Sequence, residues 1–443
     1  MTQAVLSGLS GKELARCAAP TSTLGLVIRR SDESLFEGAD DSDIDVRKTL
    51  HVEEVPLPEL APDEALIAVM ASAVNYNTVW SATFRPVSTF RLIDRSARED
   101  QGLTRHVMDR HVLGSDAAGV IVRVGASVRH WRVGDHVVVS TLHADEQDPA
   151  TQWDGMLSAS QRAWGYETNF GGLAHYSIVK STQLLPKPAH LTWEEAACNT
   201  LCLMTAYRML ISDRGARVKL GDLVLIWGAT GGLGVYATQL AKAAGCQVIG
   251  VVSDARKARV ARALGCDLVI DRHDVPGPDG LASLAGRRWL GSRIRDRFGE
   301  DPHCVFEHVG RPTFGASVFL ARRGGTIVTC GSSGGYAHDY DNRHLWTNLK
   351  RIVGSHGANY QEATEANRLV SLGRVMPGLS EVHPLLKAAE GVHRVHRNLH
   401  LGKVGVLCLA PSAGLGVTDP EFRAGIPAER LRLLRSDAEA AGS

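Results

Sequence analysis

Apolar positions fall into two regimes along the chain. From "LHVEEVPLPEL" to "LLPKPAHLTW" they come in short alternating runs broken by Gly, Pro and Asp, as in "EALIAVMASAVNY", "AGVIVRVG" and "VGDHVVVS". Alternation between turn residues predicts short strands, hence an all-β, barrel-like domain. Near Thr192 the pattern changes. Continuous apolar runs at 223–227, 248–252, 268–270, 304–308, 326–330 and 351–355 alternate with helical stretches such as "GVYATQLAKAAG", "ARKARVARALG", "SRIRDRFG" and "TFGASVFLARRGG". Uninterrupted apolar strands between helices predict a parallel sheet covered on both faces. Six of them fit a doubly wound dinucleotide fold. The expected class is α/β. The barrel-like domain takes residues 1–190 and 356–443, and the dinucleotide domain takes 191–355. Residues 1 to about 48 read as a polar, irregular, partly ordered arm. "VPGPDGLASLAGRR" reads as a surface loop. "YQEATEANRLVSLGR" reads as a helix and "KVGVLCLA" as a final strand returning to the first domain. The charged tail after Ala410 is expected on the surface.

Length and composition narrow the class. At 443 residues the chain exceeds a single small core, and two or three domains are expected. Hydrophobic residues make up 44% and charged residues 22%, which is ordinary for a globular protein. Lys+Arg 49 against Asp+Glu 48 gives a net charge of +1, so nothing points to nucleic acid or a membrane surface. No apolar run is long enough to span a bilayer. The opening "MTQAVLSGLSGKELARC" lacks the basic start and apolar stretch of a signal peptide. The eight cysteines (Cys17, Cys198, Cys202, Cys246, Cys266, Cys304, Cys330, Cys408) are scattered. They read as free thiols in a reducing cytoplasm. Cys198 and Cys202 share a helix face, but no second pair or histidine cluster completes a metal set, and no zinc is expected.

"LVLIWGATGGLGVYATQLAKAAG" runs strand, glycine turn, helix. Gly228, Gly231, Gly232 and Gly234 allow a tight turn, close approach of backbone to a pyrophosphate, and close packing of helix on strand; Leu233 lies among them. The helix N-terminus then presents N–H groups to phosphates. The spacing G-A-T-G-G-L-G departs from strict G-x-G-x-x-G, and its context between strand and helix gives it weight. The second strand ends in "VVSDARK". Ser253, Arg256 and Lys257, with Arg272 after the third strand, suit the 2′-phosphate of NADPH, whereas Asp254 is the acid that NAD would want. The expected cofactor is NADPH. His308, after the fourth strand, either touches the nicotinamide ribose or simply ends that strand with Glu307.

"QRAWGYETNFGG" (161–172) poses a problem of its own. It packs Trp164, Tyr166 and Phe170 around one carboxylate, Glu167, and one amide, Asn169. A solvated loop has no need of the rings, and a core would not hold an unpaired carboxylate.

A barrel followed by such a dinucleotide domain resembles the medium-chain dehydrogenase/reductase superfamily, with its GroES-like and Rossmann domains. Its zinc alcohol dehydrogenases carry a cysteine ligand near "NYN" and Gly-His-Glu after "LG". Here "AVNYNTVW" and "VLGSDAAG" put Asn77 and Ser115-Asp116 in those places. Without thiolate or imidazole no zinc Lewis acid is expected, so the hydride acceptor should be an activated double bond. "NYNTVW", "WGYETNFGGLA", "LIWGATGGLG", "VFEHVGRPTFGASVF", "YDNRHLW", "GSHGANYQEA" and "VHRNLHLGKVGVLCLAP" together resemble the crotonyl-CoA carboxylase/reductases. The resemblance implies that NADPH reduces a 2-enoyl-CoA at its β-carbon, and that the enolate captures CO2 to give an alkylmalonyl-CoA. It implies a cytoplasmic homo-oligomer, dimer or tetramer. It assigns Asn77, Tyr166, Glu167 and His356 to the CO2 site.

The chemistry of that set is consistent with the assignment. Asn77 and His356 would donate to CO2 oxygens, Glu167 would orient a water or the imidazole, and Tyr166 would exclude proton donors from the enolate. Taken alone, the same residues suit plainer roles: Glu167 a cap or ion pair, His356 an ordinary hydrogen bond, Tyr166 core, Asn77 a turn, with Asn75 a close competitor. The resemblance makes Arg343 and His344 candidates for the CoA phosphates, although the family more often has Arg-Tyr. Ala163 stands where a bulky aliphatic is common and Gly357 where phenylalanine is common. Both smaller residues predict a medium-chain or branched acyl group, as a supply of polyketide extender units would need. The alternatives are a non-carboxylating enoyl-thioester or quinone reductase, and a non-catalytic NADPH-binding protein of crystallin type.

Overall fold

The computed structural model describes residues 1–435. The chain divides into two compact units, one of residues 1–201, 359–371 and 379–427, the other of 202–358, 372–378 and the residues from Ala428 on.

In the second unit the continuous apolar runs form strands Leu223–Trp227, Gln247–Val252, Leu268–Asp271, Cys304–Glu307, Thr326–Thr329 and Arg351–Gly354. All neighbouring pairs are parallel. The sheet order is third, second, first, fourth, fifth, sixth. That is the doubly wound order, whose strand direction of travel reverses between the first and fourth strands. Leu225, Trp227, Ile249, Val305 and Ile327 are buried on one face with Leu290, Ile294 and Phe314 from the covering helices. The expected loop at 275–288 is a loop only in its first half. Helix Leu284–Phe298 begins inside it, because Ser283 caps Gly286 N–H.

The first unit holds, among its described residues, a seven-stranded sheet around strand Glu64–Ala73. Every residue of that strand is buried. It pairs antiparallel with Ala118–Val124, Tyr176–Lys180 and Lys403–Leu407, and a strand enclosed on all sides has no polar face to alternate with. Ile67, Val69, Ile121, Val137, Val139 and Trp164 fill the space beneath it.

The expected irregular arm is ordered. Strand Ser22–Arg29 pairs with His51–Pro56 and Arg110–Val112. Helix Gly11–Arg16 carries a capping box of Ser10 and Glu13, and Arg123 reaches the carbonyls of Leu14 and Cys17. The expected boundary at 190/191 moves to 201/202. Thr192 and Glu195 cap a short helix, Trp193 N–H bonds Leu415 O, and Arg423 forks Glu195. These bonds hold 191–201 and residues 411–427 in the first unit, whereas residues 356–358 and the described residues from Ala428 on, expected there too, belong to the second. Residues 436–443 of that tail lie outside the described residues. Residues 372–378 join the second unit, where Met376 N–H bonds Gln239 and Gly378 N–H bonds the Tyr236 hydroxyl.

All eight cysteines are free. Burial pushes the Cys246 thiol up to about 11 and those of Cys266 and Cys330 to about 12, which keeps them protonated and inert. Among the described residues no helix is long and apolar enough to cross a membrane.

Candidate active site

Strand Glu64–Ala73 delivers the chain to helix Tyr76–Thr83. Asn75 is the N-cap residue, but its side chain makes no cap bond. Its amide donates to Asp116 Oδ2 at 2.8 Å and accepts from Lys403 Nζ. Asn75 is therefore structural. Asn77 differs. Its Nδ2 donates to Ser115 Oγ at 2.7 Å, and its buried Oδ1 has no partner among the described residues. A serine hydroxyl both donates and accepts, so Ser115 serves either orientation of the amide. The reverse orientation puts two N–H groups in the unpartnered position.

Helical spacing sets Trp80 edge-on to Tyr76 one turn away, with ring centroids 5.5 Å apart, and Trp80 meets Tyr166 at 6.4 Å. Asn77 and Trp80, three apart, share that helix face. Trp80 escaped the sequence reading. Its signal was the spacing of Tyr76, Asn77 and Trp80 in "NYNTVW".

The loop 161–172 resolves into separate jobs. Tyr166 N–H and Glu167 N–H both bond Ala163 O, at 3.1 and 2.7 Å, and Glu167 Oε2 accepts from Ala163 N–H at 2.8 Å. The carboxylate closes its own turn. Gly165 has φ +70, and a Cβ there would meet Gly114 O at 1.9 Å. Trp164 and Phe170 are core. Asn169 is fully buried. Its Oδ1 accepts from the N–H groups of Val112 and Phe170, and its Nδ2 donates to the carbonyls of His106 and Arg110. Its own N–H bonds His106 Nδ1 at 3.1 Å, and His111 Nε2 bonds Thr168 O. Burial, with the nearby Arg105 charge, lowers the His106 pKa to about 3, and burial lowers that of His111 to about 4. Both rings are neutral supports. Tyr166, half-buried, is the wrapper ring left beside Trp80. Ala163 is half-buried and pairs with Leu142 in a two-stranded sheet.

In the second unit, the turn after Trp227 starts at Gly228 with φ +56, and Gly231 N–H bonds Gly228 O at 2.9 Å. A Cβ at Gly234 would meet Gly228 O at 2.1 Å. Gly232 and Leu233 open helix Gly232–Ala243. His308 Nε2 bonds Trp227 O at 2.8 Å, and its ring lies 3.4 Å from where a Gly228 Cβ would stand. Because Nε2 is the donor to a carbonyl, Nδ1 is left as an acceptor.

Asp254 caps helix Ala255–Ala263, accepting from Lys257 N–H at 2.8 Å. Lys257 Nζ reaches Ser253 Oγ at 3.1 Å. Arg256 Nε is buried and has no partner among the described residues. Burial lowers the Lys257 pKa; Asp254 opposes this, and the charges of Arg272 and Arg256 add to it. A glycine cradle beside three clustered cations fits a dinucleotide with a third phosphate on its adenosine ribose.

Arg343 departs from its expected role. It is exposed, and its guanidinium is engaged by Asp341 through Nε at 3.0 Å and a terminal nitrogen at 2.7 Å. An incoming phosphate would have to displace that carboxylate. His344 packs edge-on against Phe319. His356 is exposed on the second unit, and Gly357 beside it has φ +50. The structure thus gathers Asn77, Tyr166, Glu167 and Ala163 on the first unit. His356, Gly357, Arg343, His308 and the cofactor set belong to the second.

Residues 61–189 match the alcohol dehydrogenase GroES-like domain, and residues 232–371 the zinc-binding dehydrogenase domain. The latter implies zinc, and the donors do not suit it. Asp116 is already held by the Lys403 ammonium at 2.8 Å, and the neighbouring side chains are amides and a hydroxyl rather than thiolate or imidazole. Among the described residues no group of three or more His, Cys, Asp or Glu is placed to hold a metal. The chain is 50% identical over 421 residues to a crotonyl-CoA reductase of Streptomyces collinus, covering 93% of each. It is 38% identical to a crotonyl-CoA carboxylase/reductase of Cereibacter sphaeroides, covering 85% of this chain and 88% of that one. A Streptomyces 2-octenoyl-CoA carboxylase reductase, CinF, solved with NADP and 2-octenoyl-CoA, superposes with a TM-score of 0.95 at 55% identity, covering 98% of each chain. On fold, residue identity and coverage together, the chain belongs to the crotonyl-CoA carboxylase/reductase family of the medium-chain dehydrogenase/reductases.

Proposed function

We propose that this protein catalyses the reductive carboxylation of a medium-chain or branched 2-enoyl-CoA, with CO2, to an alkylmalonyl-CoA of the kind used as a polyketide extender unit. NADPH, held by the glycine cradle with its 2′-phosphate on Ser253, Arg256, Lys257 and Arg272, supplies hydride to the β-carbon. His308, whose Nδ1 is left as an acceptor by the Nε2 bond to Trp227 O, accepts a hydrogen bond from that cofactor. The electron pair then on the α-carbon attacks CO2, and no proton is consumed. Asn77 meets the developing carboxylate with its amide N–H groups, fixed in place before the charge forms. Tyr166 and Trp80 keep water and acids away, because a proton at the α-carbon would end the reaction as a simple acyl-CoA. Glu167 acts through the turn it closes, which sets Tyr166. The family resemblance gives His356 the second donor to CO2.

The observation that carries this reading is the Asn77 amide, with a buried end left unpartnered on the helix face of Trp80, the ring that meets Tyr166. The preference for longer chains rests on Ala163 and Gly357 and is supported by the octenoyl-CoA bound to the similar CinF enzyme. The same reading includes a cytoplasmic homo-oligomer. Strand Arg351–Gly354 is an open sheet edge flanked by exposed Trp346 and Leu349, a template on which a second copy can pair.

The test is mass spectrometry of products from NADPH, labelled bicarbonate and a panel of enoyl-CoAs. Labelled alkylmalonyl-CoA, made faster from octenoyl-CoA than from crotonyl-CoA, is expected. Unlabelled acyl-CoA alone would instead make the protein a plain reductase.

A further inference from the structure

We infer that the buried ion pair Asp116–Lys403 is the positioning device for Asn77, and that it thereby sets whether the enolate is carboxylated or protonated. The inference rests on the reductive carboxylation proposed above.

Both partners of the pair are almost wholly buried. The Lys403 ammonium donates to Val74 O, Asn75 Oδ1 and Asp116 Oδ2. Asp116 Oδ2 also accepts from Asn75 Nδ2, while Oδ1 accepts from the Thr200 hydroxyl and from Leu201 N–H at 2.8 Å. The backbone beside them is tied as well. Ser72 donates to Asp116 O at 2.6 Å and Thr141 to Ser115 O at 3.0 Å. Asn75 immediately precedes the helix that carries Asn77, and Asp116 immediately follows Ser115. One ion pair therefore grips both sides of the Asn77–Ser115 hydrogen bond.

Fold stability alone does not call for this arrangement. A fully satisfied buried ion pair contributes little net stability over apolar residues of the same volume. What an apolar pair would not keep is the register of two loops against each other. An amide that must be aimed at CO2 depends on that register, since a displacement of about 1 Å can cost on the order of a hundredfold in a positioned reaction. Hydride delivery depends on the cradle in the other unit and does not need Asn77. Loosening the pair should therefore change the identity of the product more than the rate of NADPH oxidation.

Two variants test this with octenoyl-CoA and limiting labelled bicarbonate. The first combines Asp116→Asn with Lys403→Met, which leaves no unpaired buried charge. The second, Thr200→Val, deletes one bond to the carboxylate while keeping side-chain shape. The double variant should lower the ratio of carboxylated to reduced product by about tenfold. NADPH oxidation should stay within a few-fold of wild type, and excess bicarbonate should recover much of the ratio, the signature of a raised KM for CO2. Thr200→Val should move the ratio the same way by less, and it decides the matter alone if the double variant does not fold. A wild-type ratio in a folded variant overturns the inference, as does a loss of both products in equal proportion. A wild-type enzyme that makes no carboxylated product overturns the proposed function itself.

Discussion

The cofactor cradle and the Asn77 surface are built on opposite plans. The cradle is backbone: a glycine turn and a helix end contributed by one unbroken stretch, 223–243. The Asn77 surface is side chain: an amide, a hydroxyl and two rings carried by segments near 77, 115 and 166, held by an ion pair whose members lie 287 residues apart. Backbone sites tolerate side-chain change and lose selectivity before they lose binding. Side-chain sites concentrate their function in single atoms.

The sharpest way to break this contrast is Asn77→Leu. Losing one preset donor to a developing charge costs on the order of a hundredfold, so carboxylated product should fall by about that factor in product analysis while reduced acyl-CoA rises. Retention of the carboxylated fraction would remove Asn77 from the site. The cations beside the cradle should respond more mildly. Arg256→Ala with Lys257→Ala removes charge-assisted contacts worth about 1.5–3 kcal/mol, so KM for NADPH should rise roughly 30-fold while NADH turnover holds. Equal efficiency with both cofactors in the wild type would refute the role of the cations.

A third test concerns the neutral histidines under the Asn169 loop. His106 and His111 have pKa values depressed to about 3 and about 4, so the unfolded chain binds protons that the folded one refuses. Their stability is fully present above the ordinary histidine pKa of about 6.5 and is lost as pH falls from there towards 3–4. Each ring contributes a loss of about 1.4 kcal/mol, or tenfold in the folding equilibrium, per pH unit. His106→Gln should flatten that slope in denaturant titrations between pH 6 and 4.5; an unchanged slope would clear the ring of the effect. The smallest effect concerns chain length. Gly357→Phe should lower octenoyl-CoA efficiency about fourfold for each methylene excluded, at ~0.8 kcal/mol each. The left-handed backbone there adds strain of about 1–2 kcal/mol, a conformation Phe84 and Phe170 already accept at φ 55 and 62. Unchanged octenoyl-CoA turnover would free Gly357 from any contact with the acyl chain.

The two plans also explain what could be read from the sequence. The central strands of the parallel sheet are buried and its outer ones keep the same apolar runs, so six strands and the glycine turn are legible locally. Strand Ser22–Arg29 is not, because its partners lie at 51–56 and 110–112 and the segment around it is polar. In "QRAWGYETNFGG" the rings and polar groups are visible, but the division of labour is not. Asn169 is the anchor only because His106, Arg110 and Val112 arrive from elsewhere in the chain. Lys403 gives no local signal at all. It stands at the start of a strand whose neighbours are apolar, and its partner is set by the fold.

Asp254 has a consequence for anyone redesigning the coenzyme preference. The acid that an NAD enzyme would direct at its ribose is already in the chain, at the end of the second strand, but its carboxylate serves as the first hydrogen-bond acceptor of helix Ala255–Ala263. Removing the cations would leave that carboxylate still facing its own helix. Recruiting it to a ribose would uncap the helix, at about 1 kcal/mol. Nicotinamide selectivity and local folding are therefore linked traits in this enzyme, and a route to NADH has to install a new cap before it can release the old acid.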